Sequence, residues 1–166
     1  TAVANDGITS YGYDLANRLT RLTLPGATAG STRVFSYGYD EDGHRTSKTD
    51  AIGSSTSGNP NDGITSWAFD RAGRPFRTSY SDSTPAVTFT YDAAGNRLTM
   101  NDGQAGQEIR TYDDLNRLES VTYPDGKSAT YGYDALGNRT FETERNASGV
   151  VVSDKMEKSV VVSVER

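Results

Sequence analysis

The 166 residues contain no cysteine and a single histidine, His44. Without cysteine there is no disulfide framework, thiolate nucleophile or Cys-ligated zinc or iron–sulfur site. One histidine leaves any Ser-His-Asp triad or His-rich metal site resting on a single side chain. Basic charge is also scarce: 17 Lys and Arg stand against 22 Asp and Glu, a net charge of -5. The clustered cations that displace counterions from nucleic acid or an anionic membrane are therefore missing. No apolar run approaches the roughly 18 residues of a spanning helix, and TAVANDGITS lacks the basic and apolar regions of a signal peptide, so a soluble chain without membrane insertion is expected. Large apolar side chains are few. Leu, Ile, Val and Phe make 28 of 166 residues, about 17%, under the ~20% at which a chain reads as disordered.

Against those shortages stand 16 aromatic residues, and their spacing argues for a fold. A short motif, aromatic-x-aromatic-Asp followed by Gly or Asn and then Arg, recurs six times. The copies are Tyr11-Gly12-Tyr13-Asp14 running to Arg18; Tyr37, Tyr39 and Asp40 with Gly43 and Arg45; and Trp67, Phe69 and Asp70 with Gly73 and Arg74. The remaining three are Phe89, Tyr91 and Asp92 with Gly95 and Arg97; Arg110-Thr111-Tyr112-Asp113 running to Arg117; and Tyr131, Tyr133 and Asp134 with Gly137 and Arg139. The aspartates are separated by 26, 30, 22, 21 and 21 residues. Arg follows Asp by four residues in copies one, three and five, and by five in copies two, four and six. The hexapeptide NDGITS precedes both copy one and copy three, and Asn101-Asp102-Gly103 precedes copy five. The unit is therefore a pair of motifs, present about three times.

Two aromatics one residue apart point to the same side of an extended chain, and Phe35-x-Tyr37-x-Tyr39 and Val87-x-Phe89-x-Tyr91 carry the alternation backwards. Each motif thus begins as a strand ending at its Asp. The following residues form a turn, in which Asp accepts backbone N–H groups and the fourth residue, Gly or Asn, suits a left-handed conformation. Arg opens the next strand, and Pro25-Gly26 and Pro124-Asp125-Gly126 mark further reversals. No segment longer than ten residues holds a helical apolar pattern free of Gly and Pro. The expected class is all-β: tandem hairpins whose motif aromatics form the core of a shared face.

YGYDxxG-[HN]-R and xYDxxNRL, alternating at about 21 residues with PDG turns, resemble the Rhs or YD repeat over about Asn5 to Arg145. The resemblance implies hairpins wound into a curved, spiralling antiparallel sheet, in long members a hollow shell around a toxin or other cargo. The family includes bacterial polymorphic toxins, shell components of insecticidal toxin complexes, wall-associated proteins and the teneurin receptors. Its self-cleaving aspartyl segment and toxin domain have no counterpart in these residues, so neither activity is carried over. Copy three has Trp67 and Phe69 for the tyrosines, copy five keeps only Tyr112, and Thr46 to Pro60 reads as a Ser, Thr and Gly-rich insertion. All three departures are expected to be structurally silent.

Two regions follow: a YD-repeat sheet over 1–145 and a C-terminal segment over 146–166. In the latter, Val150, Val151 and Val152, a polar turn over Ser153 to Ser159, and Val160, Val161, Val162 and Val164 read as a hairpin that caps the sheet or supplies an assembly edge. The repeated Asp and Arg read as structural, the Asp fixing the turn and the Arg stacking on a neighbouring aromatic or bonding carboxylates and carbonyls. Asp40-Glu41-Asp42-Gly43 and the Asn-Asp-Gly sequences do not match a calcium loop and read as turns. His44 occupies the place of Asn96 and Asn138 and reads as a polar turn residue. Asn138-Arg139-Thr140 and Asn146-Ala147-Ser148 have the form of glycosylation sequons, to which no function is attached. No enzyme, cofactor, metal or nucleic-acid reading survives. What is expected is a structural module of an extracellular or secreted bacterial protein, pairing with further repeats or identical subunits through sheet edges. The alternative is a glycan- or ligand-binding surface module, for which Phe76, Tyr80, Tyr123 and Phe141 are the exposed candidates.

Overall fold

The computed structural model describes residues 7–26, 31–50 and 63–156. These form thirteen strands and no helix, all paired strands being antiparallel: β1 (Ser10–Tyr13), β2 (Leu19–Pro25), β3 (Thr32–Tyr39), β4 (Arg45–Thr49), β5 (Ile64–Phe69), β6 (Pro75–Tyr80), β7 (Val87–Tyr91), β8 (Arg97–Asp102), β9 (Gly106–Tyr112), β10 (Leu118–Thr122), β11 (Ser128–Tyr133), β12 (Arg139–Arg145) and β13 (Val151–Met156). The chain divides into two compact units, Thr1–Val87 and Thr88–Arg166. In each unit the strands follow one another across the sheet in chain order, a meander of hairpins. Among the described residues no helix is long and apolar enough to cross a membrane.

Each motif strand stops one residue before its Asp, and the pairing across the turn carries a bulge. In β1 and β2, Tyr13 pairs with Leu19 but Gly12 with Arg21; in β3 and β4, Tyr39 pairs with Arg45 but Gly38 with Ser47. The same step separates Phe69 with Pro75 from Ala68 with Arg77, and Tyr133 with Arg139 from Gly132 with Phe141. One extra residue on the second strand bends it and keeps the aromatics on one face. The hairpins of β9 with β10 and of β12 with β13 repeat the step.

The aromatic face carries Tyr, Phe, Trp and Arg; the opposite face is mostly polar, with Ile109 and Phe141 among its few large apolar side chains. There, side-chain hydrogen bonds link neighbouring strands: hydroxyl pairs Thr90 with Thr99 at 2.7 Å and Thr111 with Ser120 at 2.8 Å, and the Thr143 hydroxyl donating to the Asp154 carboxylate at 3.0 Å. Gly132 lies on this face beneath the Phe141 ring, and a Cβ at that position would meet Phe141 Cε1 at 2.0 Å.

Three expectations are corrected. The motif aromatics are not a closed core: among the described residues only Val121 and Ala129, partners across β10 and β11, are buried apolar side chains, and no large one is fully buried. Most motif rings are half-buried and Tyr11 and Tyr13 are exposed, because each unit is a meander in which strands touch their chain neighbours and rings are covered by adjacent side chains. Thr46 to Thr49 do not begin an insertion but lie in β4, paired on both sides; 51–62 fall outside the described residues. Ser153 to Met156 do not turn: they belong to β13, which pairs with β12, and Val160, Val161, Val162 and Val164 lie outside the described residues.

Candidate functional site

The six motif turns are one structure. Counting from the motif Asp, its N–H donates to the carbonyl at +4 and the N–H at +3 donates back to the Asp carbonyl, at 2.9–3.2 Å throughout. Asp Oδ1 accepts the +4 N–H in every copy, and Oδ2 accepts the +4 side chain: Arg18 Nε at 2.7 Å, Arg74 Nε and Arg117 Nε at 2.8 Å, Asn96 Nδ2 at 2.8 Å and Asn138 Nδ2 at 3.0 Å. In copy two His44 Nδ1 takes that place, 3.0 Å from Asp40 Oδ2. Position +3 is left-handed, with φ near 60° at Asn17 and Asn116 and 74–95° at the four glycines. Asn fits the smaller angle; at Gly73 a Cβ would also meet His44 Nε2 at 2.8 Å.

These bonds hold all six carboxyls below their ordinary pKa of 3.8. At Asp14, Asp70 and Asp113 the largest cause is the backbone N–H of the +4 Arg; at Asp92 and Asp134 it is the Asn side chain. At Asp40 desolvation pulls upward and is overcome by the side-chain and backbone hydrogen bonds of His44.

Because the turns are equal in length, the arginines of odd and even copies stand in different places. The odd-copy Arg at +4 holds its own Asp, and in copies one and five it also reaches into the next copy. Arg18 lies over the Tyr39 ring at 4.9 Å and donates to the Asp40 carbonyl at 2.8 Å, while Tyr39 OH returns a bond to the Leu19 carbonyl at 2.9 Å. Arg117, Tyr133, Asp134 and Leu118 repeat this clasp, at 4.6, 3.0 and 2.9 Å.

The even-copy Arg at +5 occupies the position held by Leu or Pro in odd copies and stacks on rings instead. Arg45 lies 5.7 Å from the Tyr37 ring of its own copy and 5.1 Å from Trp67, the first aromatic of the next. At the same junction His44 stacks on Phe69, centroids 4.7 Å apart. His44 thus joins copy two to copy three, which its reading as a turn residue did not include. Arg97 lies 5.8 Å from Phe89, its carbonyl accepts Tyr112 OH at 3.1 Å, and Asn96 Nδ2 donates to Asn116 Oδ1 at 2.8 Å. Arg139 lies 5.6 Å from Tyr131 and 3.5 Å from Glu142.

Copy five is not silent. Arg110 stands where the first aromatic belongs, so Arg97 from copy four meets a cation. Glu108 sits between them, bonding Arg97 Nη2 at 2.9 Å and Arg110 Nε at 2.7 Å, and it is the one buried charged residue among those described. The signal for it lay in alternation: 108, 110 and 112 share a face. The turn after β12 is also of the motif kind: the Asn146 N–H donates to the Val150 carbonyl, and Asn146 Oδ1 accepts from Ser148 and Val150. That sequon asparagine is therefore a turn residue.

Phe76, Tyr80, Tyr123 and Phe141 are exposed by 37–42%. Tyr123 lines a cavity of about 260 Å³ with Tyr131, Glu142, Glu144, Arg145 and Val152. Among the described residues no cluster of three or more His, Asp or Glu is placed to hold a metal ion.

Hairpins joined by recurring Asp turns and inter-copy arginines define an antiparallel β-hairpin repeat. The family described as RHS Repeat matches residues 112–151, so this segment carries an RHS repeat, built from the same turn found in the other copies. Among solved structures, a Tc holotoxin pore from Photorhabdus luminescens is 17% identical with a TM-score of 0.68, over 89% of this chain and 8% of that one. TcdB2-TccC3 without its hypervariable C-terminal region is 19% identical with a TM-score of 0.65, over 85% and 8%. The fold is thus that of a segment in these Tc toxin chains, of whose length this chain spans 8%. No curated protein matches.

Proposed function

We propose that this chain is non-catalytic structural material: a stretch of YD-repeat wall from a secreted, extracellular bacterial Rhs-type protein, forming part of a toxin-complex shell or a self-assembling surface structure. One observation carries the reading. The motif carboxylates hold their turns, and the arginines at both kinds of junction bond or stack onto the next copy, so groups that would do acid–base chemistry elsewhere hold copy to copy here. The Tc toxin chains of the same fold support the setting, and further repeats or identical subunits meeting sheet edges are the partners that follow. The valine edge at Val150, Val151 and Val152, exposed by 48–61%, belongs to this proposal.

Separate replacement of Asp92 and Arg97 by Ala tests the reading. Both variants should melt at lower temperature, and the parent should turn over none of a panel of glycoside, ester, peptide and nucleic-acid substrates. Unchanged melting with loss of a measurable binding or turnover would overturn it.

A second reading, glycan binding at a cell surface, is favoured by the cavity beside Tyr123, where rings, two carboxylates and a guanidinium converge. Sugars stack on such rings and bond such groups. A glycan array probed with the parent and with Tyr123→Ala decides it: binding lost in the variant supports the site, and a flat array removes the reading.

A further inference from the structure

Copy six departs from the other even copies at two positions that face each other. Five residues before the motif Asp stand Phe35 in copy two and Val87 in copy four, but Ala129 in copy six. Eight residues after it, the side chain opposite the first aromatic is Lys48 in copy two and Glu142 in copy six, paired with Tyr37 and Tyr131. Ten residues after it the residue is acidic in all three, Asp50, Asp102 and Glu144. Copy two fills this space with its own side chains: Lys48 Nζ lies 5.7 Å from the Phe35 ring centroid and 2.5 Å from Asp50 Oδ1. Copy six keeps the carboxylate, lacks the ring and has a second carboxylate in place of the cation.

The space so opened is the cavity of about 260 Å³ beside Tyr123. Ala129, buried against Val121, lies at its base, and Tyr123, Tyr131, Glu142 and Glu144 line it. Of the two cations that also line it, Lys127 bonds Asp125 at 2.7 Å and Arg145 bonds Thr130 Oγ1 at 3.4 Å. Glu142 is 15% exposed, yet the cations near it stand at 3.5 Å, Arg139, and 3.9 Å, the exposed Lys155, which is 4.0 Å from Glu144. Glu108, as sheltered, bonds its two arginines at 2.9 and 2.7 Å. A sheltered carboxylate gains most from a close, charge-assisted partner, and the contacts of Glu142 fall short of that. Burial first, and then the nearby Tyr123 and Glu142, raise the pKa of the Tyr131 hydroxyl above its ordinary 10.0, so the site disfavours added negative charge.

We infer that this cavity is a binding site for a sugar ring carrying a free amine. The ring takes the volume that Phe35 fills in copy two, its apolar face against Tyr123 and Tyr131. The ammonium stands at Glu142 and Glu144, as that of Lys48 stands at Asp50. The inference rests on the glycan reading and narrows it to one class of sugar.

Calorimetric titration of the full chain at about pH 6, where the amines are protonated and the glutamates ionised, tests it with three probes. These are glucosamine hexamer; N-acetylglucosamine hexamer, which keeps the rings and loses the charge; and cadaverine, which keeps the charge and has no ring. The glucosamine hexamer should bind about tenfold or more tighter than either of the others. Glu142→Gln, close in shape, should weaken it by about tenfold or more. Ala129→Phe combined with Glu142→Lys rebuilds the side chains of copy two in the cavity; this variant should fold, as its thermal melt shows, and bind none of the probes. Equal binding of the two hexamers would leave the glycan reading standing and overturn the inference, whereas binding of neither hexamer ends both. Cadaverine bound as tightly as the glucosamine hexamer, or undiminished binding by Glu142→Gln or by the folded, filled variant, also overturns it.

Discussion

Glu108→Thr is the sharpest perturbation of the sheet, because it leaves two arginines facing each other without their shared carboxylate. Arg97 and Arg110 both bond Glu108 Oε1, at 2.9 and 2.7 Å, and the three side chains are 28%, 31% and 12% exposed. Breaking a fully buried pair costs about 3–5 kcal/mol, and an exposed one about 1 kcal/mol or less. Both guanidiniums keep partial access to water, so about 2 kcal/mol is expected here, or a melting temperature lower by about 4–8 °C. The decisive variant is the pair Glu108→Thr with Arg110→Trp, which rebuilds the arrangement of Thr65 and Trp67 in copy three. The new indole should take the Arg97 guanidinium as Trp67 takes Arg45, recovering about 1–1.5 kcal/mol of the loss. Urea denaturation of parent, both single variants and the double variant gives the coupling directly. A single variant within about 0.5 kcal/mol of the parent, or a double variant no more stable than Glu108→Thr, would refute the view that Glu108 compensates for the missing ring.

Tyr133→Phe should cost about 1 kcal/mol by orphaning the Leu118 carbonyl, and Arg117→Lys about 2 kcal/mol by losing the Asp113 and Asp134 bonds and the stack on Tyr133, both read from thermal melts. Gly95→Ala, at φ 95° with open space around a Cβ, should cost about 1 kcal/mol, while Gly132→Ala, at ordinary φ but against the Phe141 ring, should cost more and be relieved by Phe141→Ala; the reverse order would contradict the ring placement. Acid should destabilise the fold in a defined window: the six motif carboxyls have lowered folded pKa values, so their contribution is complete above the unfolded value of 3.8 and is lost as pH falls through the folded values. Melting temperature should be flat above about pH 5 and drop below about pH 4, with a shallower drop in Asp92→Asn.

The repeats were legible because strand and turn chemistry are local. Tyr37-Gly38-Tyr39 alternates faces whatever surrounds it, and Asp40 to His44 closes on itself through bonds spanning four residues. The arginines were only half legible. Their alternation at +4 and +5 was plain, but its meaning depended on register: the bulge places Arg45 opposite Tyr39, as it places Leu19 opposite Tyr13, so a one-residue shift exchanges a carboxylate partner for two rings. Glu108 passed unremarked because its partners lie on two strands, Arg97 on β8 and Arg110 on β9. The strand over Ser153 to Met156 was hidden by its polar composition. It forms because β12 offers an edge, with Glu142 opposite Lys155 and Thr143 opposite Asp154.

By itself, then, the amino-acid order determined an all-strand chain, the places where it turns and the spacing of its aromatics, since alternation of period two and hydrogen-bonded Asp turns act within a few residues of one another. Only the tertiary structure decided what each ring and cation touches. Those contacts join residues about 20 apart in sequence, as Arg18 and Tyr39 or Asn96 and Asn116 do, and they exist only when one hairpin lies in register beside the next. The same register decided that the aromatic rows are half-covered and shared between copies, while Tyr11 and Tyr13 on β1 stay exposed.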